Sequence, residues 1–156
     1  MLLAKKIIDS VLGILLIVLM IVLVIDVVWQ VLARYVAQAP TSFTDELARY
    51  LLIWVGLFGA AYALGKKRHL AIDLLITRLK GKSRINLNRL INILILGFAV
   101  FVMVIGGSRL VWITLTLKQV SAALGVPLGV VYLAIPLSGA LMIFYAVIDI
   151  IHPIRD

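Results

Sequence analysis

The sequence contains no cysteine. That absence excludes disulfide scaffolds, thiol catalysis, Cys-ligated zinc and iron–sulfur clusters, together with the small helical membrane oxidoreductases that work through thiols. Charge is scarce as well. Only 14% of the 156 residues are Asp, Glu, Lys or Arg, where a soluble domain carries roughly 25%. So little charge cannot cover a water-facing surface, which excludes the soluble enzyme classes. Acids are the scarcer sign, with Asp+Glu 7 against Lys+Arg 15 and a net charge of +8. Histidine occurs twice, at His69 and His152. Both sit at the edges of apolar runs, so no intramembrane bis-histidine haem site is available. No metal-ligating cluster, nucleophile constellation or glycine-rich nucleotide loop is present. The sequence therefore predicts neither an enzyme nor a cofactor. Gly81-Lys82-Ser83 resembles the end of a phosphate-binding loop, but the glycine that motif needs five residues earlier is Ile76.

What is present is apolar: 64% of residues are hydrophobic and the mean hydropathy is +1.19. A membrane-crossing helix needs about 20 mostly apolar residues. Four segments qualify, at about 11–33, 47–65, 90–114 and 126–151. They predict an all-α integral membrane protein with four transmembrane helices, and residues 1–156 form a single membrane domain. Lys5 and Lys6 before an apolar run resemble a signal peptide, with Ala37-Gln38-Ala39 as a cleavage site. The run is longer than a signal core of about 7–15 residues, and Pro40 would directly follow the cut, so an uncleaved span is expected.

The charges divide by side. The N-terminus, segment 66–89 and the C-terminus hold Lys5, Lys6, Lys66, Lys67, Arg68, Arg78, Lys80, Lys82, Arg84, Arg89 and Arg155, with Asp9, Asp73, Asp149 and Asp156. The opposite side holds Arg34, Arg49, Arg109 and Lys118, with Asp26, Asp45 and Glu46. Basic residues mark the cytoplasmic side, so both termini are expected there, as an even number of spans requires. Orientation and attraction to anionic membrane lipids explain the basic cluster. Segment 66–89 lacks the aromatics that stack on bases, so no nucleic-acid partner is expected.

Within that segment Ile72, Leu75, Ile76 and Leu79 follow the spacing of one helical face. Gly81 ends the pattern, which predicts a short amphipathic interfacial helix at about 70–80. On the opposite side Thr44 is placed to cap the second span, and Pro127 suits the first turn of the fourth. Pro136 is expected to kink the fourth. Small residues four apart (Gly56 and Ala60, Gly59 and Ala63, Ala134 and Ser138) predict close helix approach. Asp26, Arg49 and Arg109 lie at similar depth, and charges there are functional candidates. The plainer reading is an ionic network fixing helix packing, and the sharper one a proton or substrate site.

The stretch Phe43-Thr44-Asp45-Glu46-Leu47-Ala48-Arg49-Tyr50-Leu51-Leu52-Ile53-Trp54, continuing through Gly59-Ala60 to His69 and Asp73, resembles the small membrane subunit of TRAP transporters, the DctQ type. Ser121-Ala122-Ala123-Leu124 followed by Val131-Tyr132 and Pro136-Leu137-Ser138-Gly139 is a second match. The resemblance covers essentially the whole chain. Asp45 stands where that family often has Glu. The resemblance implies a bacterial or archaeal inner-membrane secondary transporter for organic acids such as C4-dicarboxylates or sialic acid. It further implies two protein partners: a large multi-span subunit carrying the substrate and sodium sites, and a periplasmic substrate-binding protein. The small subunit would enlarge the static scaffold and help dock the binding protein. On that basis Asp26, Arg34, Asp45, Glu46, Arg49, Trp54, Gly59, His69, Asp73, Arg109, Tyr132 and Pro136 are candidates for partner interfaces or structural networks. The alternative is a self-contained four-helix proton-coupled exporter using Asp26. The outer position of Asp26 and the long basic segment count against it.

Overall fold

A computed structural model describes residues 2–36, 42–66 and 82–151. Among them the chain is helical apart from turns: α1 Leu2–Tyr35, α2 Ser42–Gly65, α3 Lys82–Phe98, a π-helical segment Ala99–Gly106, α4 Gly107–Thr116, α5 Leu128–Tyr132 and α6 Ala134–Ile151. Four stretches are long and apolar enough to cross a membrane: Lys5–Tyr35, Ser42–Gly65, Arg89–Thr116 and Leu128–Ile151. At 1.5 Å per residue even 24 residues give about 36 Å, more than the roughly 30 Å hydrocarbon core. The observed helices outrun the expected apolar segments because polar residues in the interfacial turns stay helical. Thr44 is a case in point. It is not the cap of α2 but a buried residue inside its first turn, since the helix already begins at Ser42. The interfacial helix expected at 70–80 lies outside the described residues.

The four spans pack in the order 1–2–4–3. Backbones approach closely between α1 and α2, between α2 and α6, and between α6 and α3 with its π continuation; α1 approaches only α2. The chain thus folds as a row of helices with α6 inside it. Burial follows that order. Ala134, Ser138 and Ala146 of α6 are fully buried, whereas Ile14, Ile25 and Trp29 of α1 are all more than 60% exposed.

The third and fourth spans meet closely at Gly139. A Cβ there would lie 2.7 Å from the Met103 Cβ and 3.4 Å from the Ala99 carbonyl oxygen, so only glycine permits this approach. The contact falls on the π-helical segment, a widening of the helix that is rare in proteins. Ala99, Met103 and Gly107 are buried along it.

Pro136 has no N–H and its ring crowds the carbonyl of Tyr132. As the sequence predicts, the fourth span is interrupted there: α5 ends at Tyr132 and α6 resumes at Ala134. The Leu133 N–H donates to the Gly129 carbonyl at 3.1 Å and the Leu137 N–H to the Leu133 carbonyl at 3.2 Å, which carries the chain across the break. Pro127 sits one residue before α5, at its N-cap.

The α4–α5 connection is a closed turn. Lys118 adopts the left-handed region (φ 49). Its N–H donates to Leu115 and the Gln119 N–H to Thr114, both at 3.0 Å. This is a Schellman termination with Lys118 where glycine is usual. Ser121 N–H to Val126 and Leu128 N–H to Gln119, both at 2.9 Å, then close the loop, and Gly125 supplies a second positive φ of 65.

Candidate functional site

Polar contacts gather at the two ends of α2, which we call the Glu46 end and the Lys66 end. At the first, the side chain of Glu46 reaches the 119–127 turn. One carboxylate oxygen accepts hydrogen bonds from the Ser121 hydroxyl, from the Ala123 N–H at 3.1 Å and from the Leu124 N–H at 3.2 Å. The Ser121 hydroxyl oxygen also accepts from the Leu124 N–H at 3.1 Å. Successive backbone N–H groups in a tight turn form a concavity that suits an anion, and Glu46 fills it. This clasp joins α2 to the hairpin of the third and fourth spans.

Asp45 points the other way, toward α1. It accepts from the Gln30 side-chain amide and faces the Arg34 guanidinium at 3.8 Å. Both members of that ion pair are substantially exposed (55% and 43%), so it orients the α1–α2 corner more than it stabilises it. Asp26 lies beneath. It is 8% exposed, and its Oδ2 is buried with no hydrogen-bond partner. Val22, Ile25, Trp29, Phe43 and Leu47 line the same apolar recess.

The Lys66 end holds the second clasp. The Tyr145 hydroxyl donates to Asp9 Oδ1 at 2.6 Å, and Lys66 Nζ donates to Asp9 Oδ2 at 3.0 Å. Lys5 sits over the Tyr145 ring and Lys66 over the Tyr62 ring, at 5.8 Å and 5.4 Å from the centroids. Tyr145 itself is 1% exposed. Its ring packs on Gly65, where a Cβ would lie 2.5 Å from two ring atoms. One buried tyrosine thus ties α6 to α1 and to the end of α2.

These contacts partition the sequence candidates. Asp45 with Arg34, and Glu46 with Ser121, are brought together. Asp26, Arg49 and Arg109 are not: Arg49 and Arg109 are exposed, and no ion pair joins either to Asp26 among the described residues. Trp54 stacks on Phe58 with centroids 5.4 Å apart, inside the bundle. Tyr132 and Pro136 flank the helix interruption. A Cβ added at Gly59 would meet no neighbouring atom within 4 Å. The same holds at Gly56, whose partner Ala60 is exposed. At neither glycine does another described helix come close, whereas Ala134 and Ser138 are fully buried. His69 and Asp73 lie outside the described residues. Sequence reasoning missed Gln30 and the Asp9–Tyr145–Lys66 clasp. Its only trace was an acid in the first turns of α1 and a tyrosine within the fourth span.

The arrangement contains no reactive geometry. No group of three or more His, Cys, Asp or Glu that would hold a metal occurs among the described residues. Comparison with known proteins agrees with a transport role. A putative TRAP transporter small permease of Haemophilus influenzae is 28% identical over 86% of this chain and 82% of that protein. The C4-dicarboxylate TRAP transporter small permease DctQ of Rhodobacter capsulatus is 36% identical over 65% of this chain and 44% of its own length. A sialic acid TRAP transporter permease, SiaT, of another Haemophilus influenzae strain is 33% identical over 42% of this chain and 11% of its length. The matched regions thus span less than half of two of these relatives. Residues 21–156 match the family of tripartite ATP-independent periplasmic transporters, DctQ component. With four membrane-crossing helices built around that match, the chain belongs to the DctQ family of TRAP transporter small permease subunits and is a multi-pass protein of the inner membrane.

Proposed function

We propose that this chain is a rigid scaffold for a large sodium-coupled TRAP subunit and binds neither substrate nor sodium itself. The carrying observation is where its polar groups lie. Its clasps lie at the two ends of α2, while the core cluster between them is apolar and the buried Ser138 hydroxyl beside it is spent on the Ile135 carbonyl of its own helix at 2.9 Å. Transport sites usually lie at the membrane midplane, lined by interrupted helices. Here the backbone at the interruption is already paired, the Leu133 N–H with the Gly129 carbonyl and the Leu133 carbonyl with the Leu137 N–H.

Three further features support assembly with a large subunit. A segment similar to this one makes up 11% of the SiaT permease of Haemophilus influenzae, which places such a segment within a much longer permease chain. The face of α1 turned away from α2 is apolar and exposed. Gly56 borders an apolar groove with Leu52, Phe98 and Val102 that no described helix fills, and a small residue there admits another helix closely. With both termini cytoplasmic, the Glu46 end faces the periplasm. Exposed Arg34, Arg49 and Arg109 there would meet an acidic surface of the substrate-binding protein. The substrate class is organic acids, such as C4-dicarboxylates or sialic acid.

The absence of native cysteine gives a clean test. Single cysteines at Leu52 and Gly56 should cross-link to cysteines on the large subunit. Charge reversal at Arg49 together with Arg109 should weaken uptake without disrupting that complex. A chain that purifies as a stable homodimer and transports protons alone would overturn the proposal in favour of the Asp26 exporter.

A further inference from the structure

We propose that the groove between α1 and α2 at the Lys66 end is a binding site for the phosphate headgroup of an anionic phospholipid. The groove has a volume of 370 Å³ and is lined by Lys6, Ser10, Tyr62 and Lys66 at its mouth and by Ile14 and Ile17 deeper along α1. Asp9 also borders it, but both of its oxygens are engaged, one by the buried Tyr145 hydroxyl and one by Lys66. Lys6 is exposed and makes no ion pair among the described residues. The mouth therefore presents the Lys6 ammonium and two hydroxyls beside the Asp9–Lys66 ion pair, a net positive charge, with Lys5 one residue away over the Tyr145 ring. That set favours an anion bearing several acceptor oxygens.

The shape selects the source of the phosphate. Polar groups sit at the chain end of the span, where the headgroup layer lies, and the apolar floor continues along α1 toward the hydrocarbon. A phosphodiester at the mouth places its acyl chains on Ile14 and Ile17. Basic pockets between membrane helices bind anionic headgroups for this reason.

The test is native mass spectrometry of the purified full chain in neutral detergent, titrated with phosphatidylglycerol, with phosphatidylcholine, and with inorganic phosphate. Saturable binding of one phosphatidylglycerol in preference to phosphatidylcholine is expected. Lys6→Gln should weaken it about fivefold, as expected for one basic residue at an anionic headgroup. Ser10→Ala should weaken it further. Lys118→Gln removes the same charge at the far end of the bundle and should leave binding unchanged. Because Lys66 also holds Asp9, Lys66→Gln is secondary to the Lys6 variant. Equal affinity for phosphatidylcholine, or unaltered binding by Lys6→Gln, would overturn the site. Displacement of the lipid by millimolar inorganic phosphate would overturn the lipid as its occupant.

Discussion

Gly65→Ala tests the inner clasp at its tightest point. The added methyl would lie 2.5 Å from the Cε1 and Cζ of Tyr145 and 2.9 Å from Cδ1. The ring cannot simply yield, because Tyr145 is buried and its hydroxyl is held by Asp9 at 2.6 Å. Overpacking of this kind costs about 1–3 kcal/mol. Swinging the ring away forfeits a hydrogen bond to a charged group, about 1.5–3 kcal/mol. The better helix propensity of alanine offsets up to about 1 kcal/mol. The net expectation is a loss of about 1.5–5 kcal/mol, or roughly 3–20 °C in midpoint for a chain of this size. Thermal unfolding in mild detergent, followed by tryptophan fluorescence, measures it. The decisive form is a double-mutant cycle with Tyr145→Leu. If the ring is the obstacle, Gly65→Ala should be nearly harmless once Tyr145 is leucine. Equal costs in both backgrounds would refute the clasp.

Other perturbations should separate the remaining contacts. Glu46→Gln leaves the 119–127 turn without its anion, so trypsin should cut faster after the exposed Lys118 while the helical content is unchanged. Asp26→Asn should be neutral or stabilising, because Asp26 carries a buried carboxylate oxygen with no partner; a large loss of stability would reveal a partner and contradict that reading. Gly139→Leu should abolish accumulation of folded protein, since even a Cβ meets Met103 at 2.7 Å, and an expressed, folded variant would argue against the π-segment contact. Lys118→Gly should raise stability by about 1 kcal/mol, by relieving a left-handed residue that carries a Cβ.

The four spans were legible because hydropathy over some 20 residues is a property of the sequence alone. The break at Pro136 was legible for a similar reason: a missing N–H acts on its own helix. The order 1–2–4–3 was not, since every span is apolar on most faces and nothing local says which face meets which neighbour. The glycines illustrate the difficulty. Gly56 and Gly59 have the right spacing for helix contact, yet a Cβ at either would meet no described neighbour within 4 Å, while Gly65 and Gly139 sit at close approaches. Spacing marks where a helix can be approached, and the large residue opposite (Tyr145 or Met103) decides whether it is. Charge pairing failed similarly: depth alone suggested Asp26 with Arg49 and Arg109, but both arginines are exposed while Asp26 is buried. Asp45 finds Gln30 and Arg34 across the α1–α2 interface, and Glu46 is drawn to backbone N–H groups that no sequence motif displays.

The central claim is that this chain supports a transport site without containing one. Omit-one reconstitution tests it most directly: proteoliposomes holding this chain, the large subunit, or both, with the substrate-binding protein outside and a sodium gradient imposed. Organic-acid uptake should require both membrane chains, and should persist with Asp26→Asn. Uptake or proton-driven export by liposomes that hold this chain alone would contradict the account.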